Sequence, residues 1–325
     1  MEGRKMKIGV IQASSQSEKN GLLYDVTKKY TADSRVINFG CRTDEKEQYT
    51  YVEISVLIGL LLNSKAVDFV VTGCSSGQGM MLACNSMPGV LCAYAPAPMD
   101  AYLFVQINNG NAISLPLGEG YTWNGYENFE ETIAKMFSEP FGQGYPKSEA
   151  ERKQRDTATL KALRQESQRS MTEFLEKIDS RIIEKILRKK DVIDYILKYG
   201  SGETADWLKN KITDMYKDVI GSVVKGTVDR PLGSAHPKHP EIIYPINYGY
   251  VDGLMGGDGE EQDVYILGAD EPLKSFEGKV IAVYHRTNDI EDKWIVSLDG
   301  KDYTDEQILD TIRFQEQFYQ GILFR

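Results

Sequence analysis

The chain has 325 residues, 41% apolar and 26% charged, the composition of a globular protein, and its length suggests two domains. Its net charge of −10 is unevenly placed: residues 220–325 hold 10 Lys and Arg against 19 Asp and Glu, leaving the rest near neutral and no basic face to displace counterions from nucleic acid. The longest apolar stretch, ISVLIGLLLNS (54–64), is too short to cross a bilayer, and MEGRKMKIGV runs into a strand without room for a signal peptide. Cys41, Cys74, Cys84 and Cys92 show no CxxC spacing, which argues against a disulfide framework or a structural zinc and fits a reducing cytoplasm.

The first part of the chain alternates. KIGVIQ (7–12), RVINF (35–39), DFVVTG (68–73), GVLCAY (89–94) and NAISL (111–115) read as short buried strands, each followed by a helix-length segment. That alternation predicts a parallel sheet covered on both faces, with ligands beyond the C-terminal strand ends. A first domain is expected over 1–168, ending in the helix ERKQRDTATLKALRQESQ, and a helical connector over 169–219. From 220 to 325, short runs such as SVVKGTV, QDVYILG, KVIAVYHR and KWIVSL predict a small β-barrel or sandwich, closed by the helix DEQILDTIRFQEQFYQG.

Two clusters carry chemistry. In the first, DFVV leads into TGCSSGQGMMLACNSMPGV (72–90), a strand, a glycine-containing turn and a helix. Such a turn presents backbone N–H groups at the positive end of the helix dipole, where an oxyanion or enediolate can rest. Ser75, Gly77 and Gly79 are small enough to let a ligand approach, and Cys74 is either a small buried hydrophobe or a group that takes a proton from a carbon acid. Asn108, Asn109 and Asn111 of INNGNAISL could hydrogen-bond sugar hydroxyls. In the second, YPINYGYVDGLMGGDGEEQDVYILG (244–268) brings Asp258, Glu260 and Asp263 onto one turn, and NDIEDKW adds Asp289, Glu291 and Asp292 beside Lys293. These carboxylates are either solvated acidic turns or ligands that could hold divalent cations. His236 and His239 sit in HPKH without a third ligand nearby, so a phosphate-facing or structural loop fits them better than zinc.

Residues 6 to about 165 resemble the ribose-5-phosphate isomerase B / galactose-6-phosphate isomerase family. CSSGQGMMLACNSMPGV follows that family's cysteine, GTGxG loop, AAN helix end and PGI/R strand, and INNGNAISL follows its HNxAN segment. The resemblance implies a Rossmann-like α/β sandwich and an aldose–ketose isomerase needing no cofactor, with Cys74 shuttling a proton and Ser76 in place of the family's threonine. Gly77 and Gly79 would form the anion hole, and the family's dimer places the site at the subunit boundary, so a homodimer acting on a sugar phosphate is implied. The chain departs at two points: Ser14 and Ser15 stand where the family has Asp-His, and Ile107 stands where it has the ring-opening histidine.

Residues about 222–325 resemble family I inorganic pyrophosphatases, small OB-like barrels that use Mg²⁺. The resemblance implies Asp258, Glu260, Asp263, Asp289 and Asp292 as metal carboxylates and Lys225, Tyr248, Lys293 and Tyr319 as phosphate ligands. Thr227 replaces an expected glutamate and Gln320 a lysine, which leaves open a hydrolase of pyrophosphate or a related phosphoanhydride, or a module that only binds. The expectations are therefore a sugar-phosphate isomerase first, a Mg²⁺-dependent phosphoanhydride hydrolase second, and a non-catalytic sugar-phosphate binder third.

Overall fold

The structure, a computed structural model, describes residues 6–31, 34–237, 239–287, 289 and 291–325. The chain forms two compact units, Met1–Trp207 and Leu208–Arg325. The division falls inside the span expected as a connector.

The first unit is built on a five-stranded, all-parallel sheet of β1 (Lys7–Val10), β2 (Arg35–Asn38), β3 (Phe69–Cys74), β4 (Cys92–Tyr94) and β5 (Ala112–Pro116), ordered β2-β1-β3-β5-β4. Side chains alternate across a strand, so Ile8, Val10, Phe69, Val71, Ile113 and Leu115 all fall on one face. There they pack against Leu23 and Val26 of α1 (Asn20–Lys29) and Phe129 and Ile133 of α5 (Gly125–Met136). α2 (Tyr51–Asn63) and α3 (Gln78–Ser86) take the opposite face. After β4, α4 (Pro98–Leu103) is continued by a π-helical turn over Phe104–Asn108, which ends at Asn109 with φ +44°.

Helix α2 explains why the unit continues past residue 168. Ile54 to Leu61 are all buried, so the helix is apolar around its whole circumference and cannot leave one side to water. The sheet covers one side; α7 (Met171–Leu175), α8 (Ser180–Leu187) and α9 (Lys190–Tyr199) pack against the other. Gly59 permits the close approach, because a Cβ there would stand 2.9 Å from the Met171 Cε. In the chain between α5 and α7 comes α6 (Ala150–Ser167), a polar surface helix with only Thr157 buried. Helix α10 (Glu203–Met215) spans the division between units.

The second unit is a closed barrel of β6 (Val223–Arg230), β7 (Asn247–Met255), β8 (Glu261–Leu267), β9 (Ser275–Arg286) and β10 (Asp292–Ser297). Its order is β10-β8-β7-β6-β9, closed by antiparallel β9–β10 pairing, with β8–β10 the one parallel pair among these. Along β8, Val264 and Ile266 enter one apolar cluster while Tyr265 and Leu267 enter another, which also takes Ile308 and Ile312 of α11 (Asp305–Glu316). A short β11 (Gly321–Phe324), absent from the sequence expectations, follows α11 and pairs with β9.

One buried ion pair locks helix to barrel. Arg286 and Glu316, with side chains 2% and 4% exposed, meet at 2.6 and 2.9 Å, and the Tyr265 hydroxyl donates to the same carboxylate. Burial alone would depress the Arg286 guanidinium, but Glu316 holds it well above its ordinary value. Removing one partner of such a pair strands the other charge, which costs about 3–5 kcal/mol. Glu316→Ala is therefore expected to lower the calorimetric transition of the second unit by about that amount while leaving the first unit's transition in place.

Candidate active site

The parallel pairing of β3 with β5 fixes what stands at each end of the sheet. Cys74 is the last residue of β3, opposite Pro116, while Ala112 at the start of β5 stands opposite Val70. At the Cys74 end the chain turns through Ser75, Ser76 and Gly77 into α3. Gly77 is the N-cap at φ +74°, and no side chain caps the helix start, so its first N–H groups face the turn. Only glycine fits there: a Cβ would lie 2.9 Å from the Leu115 carbonyl carbon, the Pro116 nitrogen and the Tyr94 ring. Ser114 Oγ donates to the Gly77 carbonyl at 2.6 Å from below.

Neighbouring loops hold the turn rigid. Leu117 N donates to the Cys74 carbonyl and Gly118 N to the Ser75 carbonyl, both at 3.0 Å. From the loop after β1, Ala13 N donates to the Gly73 carbonyl at 3.0 Å and Gln16 Nε2 to Ser75 Oγ at 3.0 Å. The sequence reading missed Gln16; its signal is an amide in the loop beyond β1, at the same edge as the Cys74 turn. Ser14 Oγ instead accepts from Tyr49 N at 2.7 Å, and Ser15 is exposed. Gly79 faces the Tyr51 ring, 3.6 Å from where its Cβ would be. The result is a rigid anion cradle with a thiol, 7% exposed, at its base.

Cys41 and Cys92 are buried as well. Burial pushes Cys41 up to about 11 against the opposing Ser14 hydroxyl, and burial and then Cys84 push Cys92 well above its ordinary value. Neither is suited to ionise, in keeping with core roles.

Asn108, Asn109 and Asn111 lie at the opposite end of the sheet. Four residue steps along parallel β3 and β5 separate the level of Cys74 from that of Ala112, about 13 Å. Asn111 accepts from Leu91 N at 2.8 Å and donates to the Gly89 carbonyl at 2.9 Å. Within one chain these asparagines do not meet the cradle.

The barrel cluster is partly assembled, and its cations come from within. Lys293, 2% exposed, pairs with both Asp263 and Glu291. A hydrogen bond from the Glu291 carboxyl holds Asp258 low, while burial and then Asp258 raise Glu291. Asp289 pairs with Arg286 at 2.9 Å, Asp292 joins His285 at 2.8 Å and Tyr216 at 2.6 Å, and Glu260 is exposed. Among the described residues no group of three or more His, Cys, Asp or Glu is arranged to hold a metal ion. Tyr248 is buried, with Asp263 and burial raising its hydroxyl; Tyr319 lies 3.6 Å under the Arg286 guanidinium; Lys225 is exposed on Glu277. Tyr248 and Lys293 meet around Asp263, and Tyr319 reaches the same cluster through Arg286 and Glu291, while Lys225 stands apart. His236 and His239 belong to one turn, His239 N donating to His236 Nδ1 at 3.1 Å.

The cradle's geometry makes Gly77 a stability test. Gly77→Ala places a Cβ against backbone at a left-handed φ, so it is expected to destabilise the first unit by more than about 1 kcal/mol, measured by calorimetry.

Comparison with known proteins completes the picture. The family model of the ribose/galactose isomerases matches residues 12–159. A 4-deoxy-L-threo-5-hexosulose-uronate ketol-isomerase, complexed with a tartrate, is 38% identical, with TM-score 0.60 over 64% of this chain and 99% of its own. A ribose-5-phosphate isomerase from Vibrio parahaemolyticus is 36% identical, with TM-score 0.59 over 64% and 99%. No match is found among the curated proteins compared. Both structures are matched over nearly their whole length by 64% of this chain, the share that its first unit makes up. Over that unit the chain belongs to the ribose/galactose isomerase family.

Proposed function

We propose that the first unit interconverts an aldose and a ketose of a sugar phosphate, with Cys74 as the proton shuttle. The observation that carries the reading is a thiol at the base of an uncapped strand–turn–helix cradle, braced from two loops. In its thiolate form Cys74 takes a proton from the carbon next to the substrate carbonyl. The electron pair moves onto the carbonyl oxygen, and the N–H groups of the turn and the Ser76 hydroxyl hold the resulting enediolate. The thiol then returns its proton to the neighbouring carbon, and a proton passes between the two oxygens, so nothing is oxidised or consumed overall.

The first unit contains no histidine among its residues. A substrate that is already open-chain needs no ring-opening acid, so this reading favours an open-chain sugar phosphate. One structural relative bears the name of a uronate ketol-isomerase, which makes a keto-uronate the natural comparison substrate.

The sheet geometry also supports a homodimer. Asn108 and Cys74 stand at opposite ends of the same sheet, so both can serve one substrate only when two copies pair end to end in an isologous dimer. Tyr51 and Val52 at the start of α2 and Leu82 on α3 are exposed apolar side chains near the cradle, in keeping with a covered face.

Two experiments test this. Proton NMR in D₂O should show solvent deuterium entering C1 or C2 of an open-chain sugar phosphate or keto-uronate. Cys74→Ala should slow that exchange by about 10²–10⁴-fold, the usual weight of a positioned acid–base group. Undiminished exchange in this variant removes the cysteine from the mechanism. Mixing inactive Cys74→Ala and Asn108→Ala chains should restore roughly a quarter of wild-type activity, because each mixed dimer carries one intact site. No recovery on mixing, with both variants dimeric, overturns the shared site.

A further inference from the structure

At the Asn end of the first unit's sheet, away from the cradle, opens a cleft of about 630 Å³, within the range of small-ligand sites. Its walls come from the end of α2, the turn before β4, α6 and the start of α10. Four cationic side chains line it, Lys65, Lys161, Arg164 and Arg169, against a single carboxylate, Glu203. Glu203 is engaged by the Thr172 hydroxyl at 2.8 Å. Among the described residues none of the four cations has a carboxylate partner.

Elsewhere on this unit basic side chains do find acids. Lys19 meets Glu119, Lys29 meets Glu130, and Lys189 meets Glu45 and Asp191. Other basic side chains also lack an acid, but in the cleft four gather around one carboxylate, and two of them, Lys161 and Arg164, are set by the helix period. Lys161, Arg164 and Gln165 fall three and four residues apart on α6, so they share one face, and Gln168 follows as the C-cap. That face is not needed for packing, since α6 buries only Thr157. Arg164 is fixed rather than free to swing: its Nη2 donates to the Val90 carbonyl at 2.5 Å. Desolvation lowers the Lys161 amine, and no acid offsets it. Gln165 and Asn109 add uncharged amide groups to the same walls.

We propose that this cleft binds a compact dianion carrying hydroxyl groups, a phosphate monoester of a sugar or a hydroxylated dicarboxylate, at a site of its own. Cations held together without counter-ions recruit an anion, and the amides suit its hydroxyls. The cleft includes neither the Cys74 turn nor Asn108, although Asn109 and Asn111, expected to meet sugar hydroxyls, line it, so the test separates the two sites.

Isothermal titration calorimetry on the full chain carrying Cys74→Ala, at fixed ionic strength, tests it with a hexose 6-phosphate and with tartrate. At least one should bind, and the better ligand identifies the dianion as phosphate or dicarboxylate. Adding Lys161→Ala and Arg169→Ala together should raise its Kd at least tenfold, as expected for lost charge-assisted contacts. Lys161→Arg should keep Kd within about twofold, and unchanged thermal melting of the paired variant excludes misfolding. Binding by neither ligand at millimolar concentration overturns the proposal. So does a Kd unmoved by the paired substitution, or binding abolished by Ser76→Ala and untouched by Lys161→Ala and Arg169→Ala, which would assign it to the cradle.

Discussion

The parallel register of β3 against β5 is the constraint on which the first unit's chemistry depends. Parallel strands put all their C-terminal ends on one edge, and this edge gathers the Cys74 turn, the loop carrying Gln16 and the segment around Gly118. The same register fixes Asn111 and its neighbours on the other edge. Two chemically distinct ends follow from a single pairing: a thiol under an N–H cradle at one, amides and unpaired cations at the other.

A second constraint acts through α2. A helix buried all round needs two covering layers, and the sheet supplies only one. Helices α7 to α9 supply the other, and they bring Lys189 with them, 4% exposed and paired with Glu45 and Asp191. Amphipathic spacing made these helices visible in the sequence, as in the apolar stripe of SRIIEKIL. What stayed hidden was their partner, because periodicity shows that a helix has an apolar face and not which surface will cover it. The run ISVLIGLLLNS held the answer: an apolar surface too wide for a sheet alone.

Legibility differed between the two candidate sites for a related reason. The Cys74 cradle is local, a strand end, a glycine with a left-handed φ and a helix start within five residues, so sequence order nearly equals spatial order. Gln16 escaped because it arrives from 59 residues away through the loop of another strand. The asparagines were recognised as polar and available; because they precede β5 while Cys74 ends β3, a parallel sheet places them on the opposite edge. In the barrel the strands and their alternation were legible, whereas β11 was too short, at four residues, to be told from the end of its helix.

The barrel carboxylates show how the same residues can support opposite readings. On sequence alone, acids clustered on turns suit a divalent cation, since each oxygen needs a positive partner. The fold supplies those partners internally, through Lys293 between Asp263 and Glu291, and Arg286 between Asp289 and Glu316. A buried ammonium held between two carboxylates cannot leave without stranding them. The electrostatic logic of the two units is thus reversed. In the barrel Asp263, Glu291, Asp289 and Glu316 are paired with the protein's own cations, while the α6 cleft holds cations without carboxylate partners.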